Sequence, residues 1–214
     1  MGTIKQGILG GFSGKVGTVI GGNWKGIDYM RSKAASISNP KTEAQLDQRA
    51  RFGAALKFLQ PLTSFLRVGF KNYAVKMTAF NSAMSYNLNN ALTGVYPEYS
   101  IDYASALVSR GSLPGALNPQ IQSANPNQVE FTWQDNSQDA NASANDKVLL
   151  VVFNPAKQLA ITVVGGNDRS TGSQVVEVPA TFTGDEVHCY IAFQTANQSV
   201  LSNSVYAGPV VVYD

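Results

Sequence analysis

The sequence predicts an α+β protein built from a glycine-rich β arm or hairpin, a small helical layer and a C-terminal antiparallel β-sandwich. Three observations lead to this fold class. Nine of the nineteen glycines fall within residues 1–38, good helix formers dominate residues 39–93, and residues 128–214 contain short apolar runs separated by polar turns. A chain of 214 residues is long enough to bury one large core or two small ones.

Residues 1–38 form the predicted basic, glycine-rich β arm. Between the glycines lie β-branched and aromatic residues, including Trp24 and Tyr29, which argue against a plain linker. Two short strands around Gly21-Gly22-Asn23 predict a hairpin, because glycine and asparagine tolerate the positive φ of tight turns. Glycine also weakens an isolated strand. We therefore expect an arm that is ordered against something else, the alternative being a flexible tail.

Residues 39–93 form the predicted helical segment. Thr42 and Gln45 have the spacing of a capping box, which predicts a helix that runs to about Gln60. Pro61 can begin a second helix that ends at Gly69. A third helix is indicated by apolar residues spaced four apart, namely Phe80, Met84 and Leu88. Basic side chains are expected to project outward from this layer: Arg49, Arg51, Lys57, Arg67, Lys71 and Lys76.

Residues 94–127 are predicted to be a connecting segment in which a first strand can form, since prolines and glycines interrupt any long helix. Residues 128–214 then predict six or seven strands, a number and spacing typical of an antiparallel sandwich. Trp133 and Tyr190 stand where immunoglobulin-like or fibronectin-type domains place core aromatic residues.

The charge is unevenly distributed along the chain. Residues 1–80 carry twelve Lys and Arg against three acids, a net +9, while residues 81–214 carry four bases and eleven acids, a net −7. Such an asymmetry indicates either nucleic acid at the basic end or head-to-tail contacts between copies.

No catalytic constellation is evident in the sequence, so we expect a protein that is not an enzyme. The single His188 and the single Cys189 are adjacent on a strand and should point to opposite faces, one inward and one outward. They cannot act together as base and nucleophile, and they are too few for a zinc site.

Neither nucleotide nor metal binding is indicated. The glycine spacing fits neither a dinucleotide-binding motif nor a P-loop. Asp135, Asp139 and Asp146 could hold calcium, but their order does not match a calcium loop, and a solvated loop is the preferred interpretation. We expect no cofactor, no membrane insertion and no signal peptide, hence synthesis in the cytoplasm.

The basic arm has two functional interpretations. Its lysines and arginines, with Trp24 and Tyr29, could bind a nucleic-acid backbone through charge and stacking. The same residues could dock on the acidic sandwich of a neighbouring copy, with a strand added to an open sheet edge. We favour docking between copies, since the charge density is moderate and no nucleic-acid-binding fold is recognised. The candidate interface consists of Lys15, Trp24, Lys25, Tyr29, Arg31, Arg49 and Arg51.

Several short motifs are spread over the chain: GGFSGKVG at 10–17, Trp24-Lys25-Gly26, NPKTEAQ at 39–45, Ser109-Arg110-Gly111, Asp146-Lys147 and Ser202-Asn203-Ser204. Through them, nearly the whole chain resembles an uncharacterised family of Bacteroidota proteins of about this length, a domain of unknown function. The resemblance implies no activity and no site residues. The pattern from Asn39 to Phe52 is also similar to segments of phage structural proteins.

Taken together, the sequence predicts a non-enzymatic structural protein that self-assembles through its arm, as a phage virion subunit (capsid or tail tube) or a filament subunit. Homo-oligomers, and other virion or assembly proteins, are the expected partners. The alternative is a binding module whose sandwich recognises carbohydrate or protein. A nucleic-acid packaging protein is less favoured.

Overall fold

The computed structural model describes residues 2–4, 10–24, 26–36, 39 and 41–213. The chain divides into two compact units, residues 1–45 and residues 46–214. Each unit has its own β-structure.

The first unit is a four-stranded antiparallel sheet with the strand order β1-β2-β3-β4. Its strands are β1 (Thr3–Ile4), β2 (Phe12–Val16), β3 (Val19–Trp24) and β4 (Ile27–Ser32). The predicted β arm is therefore present as a sheet of its own.

The predicted position of the hairpin turn is wrong, because β3 runs straight through Gly21-Gly22-Asn23. The turns lie on either side, where Gly17 and Gly26 have φ angles of 57° and 84°. Gly21 serves close packing instead, since a Cβ there would overlap the backbone and ring of Phe12. Glycine in this strand thus permits the approach of β2 and does not reverse the chain.

Three helices form the helical layer: α1 (Glu43–Leu59), α2 (Thr63–Gly69) and α3 (Ala79–Asn90). Pro61 lies in a short 3₁₀ turn, Gln60–Leu62, that separates α1 from α2. The hydroxyl of Thr78 caps α3 by accepting a hydrogen bond from the Asn81 amide at 3.1 Å. A small hairpin follows, formed by β5 (Leu92–Val95) and β6 (Glu98–Ile101).

The remaining strands form two antiparallel sheets. The three-stranded sheet has the order β11-β8-β7, and the four-stranded sheet has the order β10-β9-β12-β13. The strands are β7 (Leu117–Gln122), β8 (Gln128–Gln134), β9 (Lys147–Asn154), β10 (Leu159–Asp168), β11 (Ser173–Glu177), β12 (Glu186–Gln194) and β13 (Val205–Val211). This is the strand arrangement of a fibronectin-like β-sandwich, so the predicted α+β class with a C-terminal sandwich is confirmed.

The two central strands of the four-stranded sheet, β9 and β12, are buried on both faces. Along β9, Val148, Leu150 and Val152 pack between the two sheets, while Leu149 and Val151 pack against the helical layer. A strand covered on both sides is typically apolar at nearly every position, which accounts for the unbroken hydrophobic run of residues 148–153.

Across the part of the chain described, no helix is long and apolar enough to cross a membrane.

Candidate functional site

Strand pairing in the first unit brings most of the predicted interface residues to one side of the sheet. Lys15 pairs with Ile20, and Ile20 pairs with Arg31, so the three form one row across β2, β3 and β4. Paired residues of antiparallel strands share a face, and alternate residues along a strand do too. The arm face, as we call it, therefore consists of Lys15, Ile20, Trp24, Ile27, Tyr29 and Arg31.

The arm face combines exposed apolar groups with positive charge. Trp24 is 51% exposed, Ile27 66% and Tyr29 47%. Lys15 and Arg31 are also exposed. Exposed apolar groups bordered by charge are typical of interaction sites, which makes the arm face a candidate.

Tyr29 is positioned on the arm face by a glycine. A Cβ at Gly22, which pairs with Tyr29, would lie only 2.8 Å from the Tyr29 hydroxyl oxygen. The phenol therefore lies across the strand where a side chain would otherwise stand. This close approach gives a packing reason for one of the arm's many glycines.

The only described carboxylate of strands β1–β4, Asp28, lies on the opposite side of the sheet. It pairs with Asn23, whose Nδ2 donates a hydrogen bond to Asp28 Oδ1 at 2.7 Å. Asn23 Oδ1 also accepts from the Gly26 amide at 3.1 Å, which holds the turn. The cations of the arm face are thus separated from the arm's own acid by the sheet.

An acidic surface lies on the second unit. On β8, Val129, Phe131 and Trp133 are buried between the sheets, so Glu130 points outward. Glu130 pairs with Val175, which is 48% exposed. We define the sandwich face as the outward residues Gln120, Gln122, Gln128, Glu130, Thr132, Ser173, Val175 and Glu177.

The sandwich face carries two carboxylates and no basic side chain. Glu177 is exposed. Glu130 accepts a hydrogen bond from Gln122 Nε2 at 2.7 Å. Neither acid is among the predicted interface residues, although the alternation of Val129, Phe131 and Trp133 is a sufficient signal that Glu130 faces outward.

The remaining predicted interface residues lie elsewhere. Lys25 is outside the described residues. Arg49 and Arg51 are on α1, within the second unit. The Arg51 guanidinium carbon is 5.9 Å from the centroid of the Tyr99 ring. The hydroxyl of Tyr99 donates to Asp47, and this hydrogen bond is the main reason that the pKa of Tyr99 is raised.

The predicted orientation of His188 and Cys189 is corrected in one respect. They do point to opposite faces, but both are buried: Cys189 packs between the sheets, and Tyr103 and Tyr206 cover His188 on the face that also carries the helical layer. His188 stacks on Tyr103 with ring centroids 3.7 Å apart, and its Nδ1 lies 2.7 Å from the Tyr206 hydroxyl. Burial lowers the pKa of His188 and raises that of Cys189.

The prediction of a solvated aspartate loop is wrong for Asp146. Its carboxylate is buried and accepts a hydrogen bond from Arg169 Nε at 3.1 Å. Asp135 and Asp139 are exposed. Among the described residues, no group of three or more His, Cys, Asp or Glu side chains is arranged to hold a metal ion.

Three comparisons place this chain among known proteins. A family model described as "Family of unknown function (DUF6266)" matches residues 11–208. No curated protein matches the chain. The fn3 domain of the human collagen alpha-1(XX) chain, solved in solution, is similar over 50% of this chain and 93% of that chain, with 14% sequence identity and a TM-score of 0.35.

Proposed function

We propose that this chain, which belongs to the family of unknown function DUF6266, is a non-enzymatic structural protein that assembles by docking its arm face on the sandwich face of a neighbouring copy. The observation that carries the proposal is the gathering of Lys15, Trp24, Tyr29 and Arg31 on one exposed face. Membership of the family assigns no activity, so the proposal rests on these surfaces.

Charge complementarity supports this pairing of surfaces. Lys15 and Arg31 stand two strand spacings apart, about 10 Å between their Cα atoms. Glu130 and Glu177 are diagonal neighbours on adjacent strands, about 7–8 Å apart. The spacing of the two cations exceeds that of the two carboxylates by only a few ångström, a distance that long basic side chains can span. Two cations can therefore meet two carboxylates in one contact.

Apolar complementarity supports it as well. Ile20 lies between the two cations of the arm face, and exposed Val175 pairs with Glu130 on the sandwich face. Trp24 and Tyr29 would contribute most of the binding free energy, because large aromatic residues dominate the energetics of protein interfaces.

Such a contact is heterologous, since two different surfaces meet. A heterologous contact closes a ring if the rotation between copies allows it, and otherwise continues as a tube or filament. Subunits of virions, such as capsid or tail-tube proteins, and subunits of filaments assemble in this way, and we assign the protein to this class.

The proposal is tested by light scattering of the full chain at increasing concentration and low salt. We expect the wild type to form assemblies and the variant Trp24→Ser/Tyr29→Ser to lose at least about tenfold in association constant. Val16→Thr is the matched control, because Val16 is exposed on the opposite side of the sheet. A wild type that stays monomeric, or equal loss in the control, would contradict the proposal.

Nucleic-acid binding is the competing outcome, since two cations and two aromatic residues on one face also suit a single strand. It predicts binding of an oligonucleotide that falls steeply with salt and disappears in Lys15→Glu/Arg31→Glu. Variants Glu130→Lys and Glu177→Lys would not weaken such binding, whereas they would weaken assembly between copies.

A further inference from the structure

The outer edge of β4 is an open edge of the arm sheet. β4 is the last strand in the order β1-β2-β3-β4, and no described strand pairs with its other side. Every residue from Ile27 to Ser32 is exposed, with Met30 at 72%. An unprotected edge strand presents unpaired N–H and C=O groups that can accept another strand.

The register of β3 and β4 shows which backbone groups point outward. The Lys33 amide donates to the Thr18 carbonyl at 2.7 Å, and these two residues continue the pairing of β3 with β4, so they form a hydrogen-bonded pair of the ladder. In an antiparallel ladder such pairs recur at every second residue, which makes Tyr29 and Arg31 bond inward to β3. The N–H and C=O groups of Asp28, Met30 and Ser32 therefore face the open edge.

We propose that β4 pairs antiparallel with β4 of a second copy, around a two-fold axis at Met30. This inference rests on the self-association proposed above and adds a second contact to it, because the edge is used here and the arm face is left open. Two four-stranded sheets become one continuous sheet across the axis.

Several alignments of the two β4 strands bring outward-facing backbone N–H and C=O groups together. Among them, side-chain chemistry favours the alignment centred on Met30. With Met30 opposite Met30, Asp28 lies opposite Ser32, and Tyr29 lies opposite Arg31 of the second copy. Cross-strand apolar pairs and an arginine beside an aromatic ring are both favourable.

The neighbouring registers are less favourable. Moving the axis to Asp28 places two carboxylates opposite each other, and moving it to Arg31 places two guanidinium groups opposite each other. Moving it to Tyr29 puts Met30 against Asp28 on both sides of the axis, an apolar group against a charge. The Met30 register alone avoids all three conflicts.

The two contacts differ in symmetry, which gives them different consequences. The β4 contact is isologous, because the same surface of each copy meets itself, and it stops at a pair. The arm-to-sandwich contact is heterologous and continues from copy to copy. Together they would join pairs of copies into an extended assembly.

The first test separates the two contacts by light scattering of the full chain. In the variant Glu130→Lys/Glu177→Lys the sandwich face no longer accepts the arm, and we expect assembly to stop at dimers. Adding Met30→Pro removes an outward N–H that β3 does not use, so the dimers should become monomers. Glu130→Lys/Glu177→Lys protein that is already monomeric while the wild type assembles would overturn the β4 contact and leave the proposed function standing.

The second test does not depend on proline. In Met30→Cys, mild oxidation should link the chains into a disulfide-bonded dimer, since paired Cα atoms about 5.5 Å apart suit a disulfide. Native Cys189 is fully buried and does not interfere. Val16→Cys, an exposed position away from the β4 edge, is the control and should not link.

The same reaction reports the register. Self-linking of Tyr29→Cys with no linking of Met30→Cys would overturn the proposed axis. Absence of linking at both positions in protein that assembles would overturn edge pairing while sparing the arm-to-sandwich contact. A wild type that never assembles, and whose Met30→Cys variant does not link, would overturn both proposals.

Discussion

The guanidinium carbon of Arg169 lies 3.9 Å from the centroid of the Phe193 ring, and neither side chain is accessible to solvent. Four further groups hold the cation: Nε donates to Asp146 at 3.1 Å, Nη1 to Asn136 Oδ1 at 2.6 Å and to the Gly115 carbonyl at 3.4 Å, and Nη2 to the Pro114 carbonyl at 3.0 Å. A buried charge with this many partners fixes the loop before β9 and the turn after β10 to one end of the sandwich.

Removal of one partner should therefore be costly. We expect Asp146→Ala to lower the free energy of unfolding by about 3–5 kcal/mol, because it leaves the Arg169 charge buried without its counter-ion. Urea denaturation measures this. Lys147→Ala is the control, since Lys147 forms an exposed ion pair with Asp168 at 2.7 Å that should contribute less than about 1 kcal/mol. If the two variants lose similar amounts of unfolding free energy, the buried Arg169–Asp146 pair does not stabilise the fold as described.

His188 should make stability depend on pH. Burial lowers its pKa in the folded chain, so the unfolded chain binds a proton more readily than the folded one. The contribution of the neutral imidazole is complete above pH 6.5 and is lost as pH falls from there through the lowered folded-state pKa, with a slope of at most about 1.4 kcal/mol per pH unit.

This pH dependence can be measured by urea unfolding between pH 7.5 and 5. His188 is the only histidine, and the lowered pKa values of Asp102 and Asp185 place their titration below this range. The neighbouring Tyr206 stays protonated, because burial raises its pKa to about 12. His188→Gln should flatten the profile; a slope that persists in this variant would rule His188 out as its source.

Cys189 should resist thiol reagents in the folded protein. It is fully buried between the two sheets, and burial raises its pKa, so both access and thiolate formation are suppressed. Labelling with a maleimide should be slow in buffer and fast in denaturant. Rapid labelling in buffer would mean that the sandwich opens locally.

Two glycines should respond in opposite ways to alanine. A Cβ at Gly111 would overlap the backbone of Leu201, so Gly111→Ala should destabilise by about 1–3 kcal/mol. Gly53 lies inside α1 with open space at the Cβ position, so Gly53→Ala should stabilise by about 0.5–1 kcal/mol. Thermal unfolding of both variants compares them directly, and a shift of the same sign in both would contradict the packing described.

The fold was largely predictable, since it depends on local patterns. Alternation of Val129, Phe131 and Trp133 identified a strand with one buried face, and apolar residues spaced four apart identified α3. The sequence could not show that the helical layer covers the sandwich, because that contact joins segments far apart in the chain. For this reason the sequence predicts that only one of His188 and Cys189 is buried, whereas both are.

The candidate site was predictable only in part. Glycine marks a turn and a close strand approach equally well, so Gly21 and Gly22 suggested a turn where there is a strand. Because the turn was predicted at the wrong position, the sequence did not show which residues share a face of the sheet. Ile20 and Ile27 were therefore not predicted to lie on the arm face with Trp24 and Tyr29. Arg169 also went unnoticed, since nothing local distinguishes a buried arginine from one in a polar loop.

The most direct test of the proposed assembly is a charge exchange between the two faces, followed by light scattering of the full chain at low salt. We predict that Lys15→Glu/Arg31→Glu and Glu130→Lys/Glu177→Lys each abolish assemblies larger than a dimer. We also predict that the variant with all four changes recovers them, because the attraction is restored with its sign reversed. If all four changes together assemble no better than either pair alone, the arm face does not dock on the sandwich face.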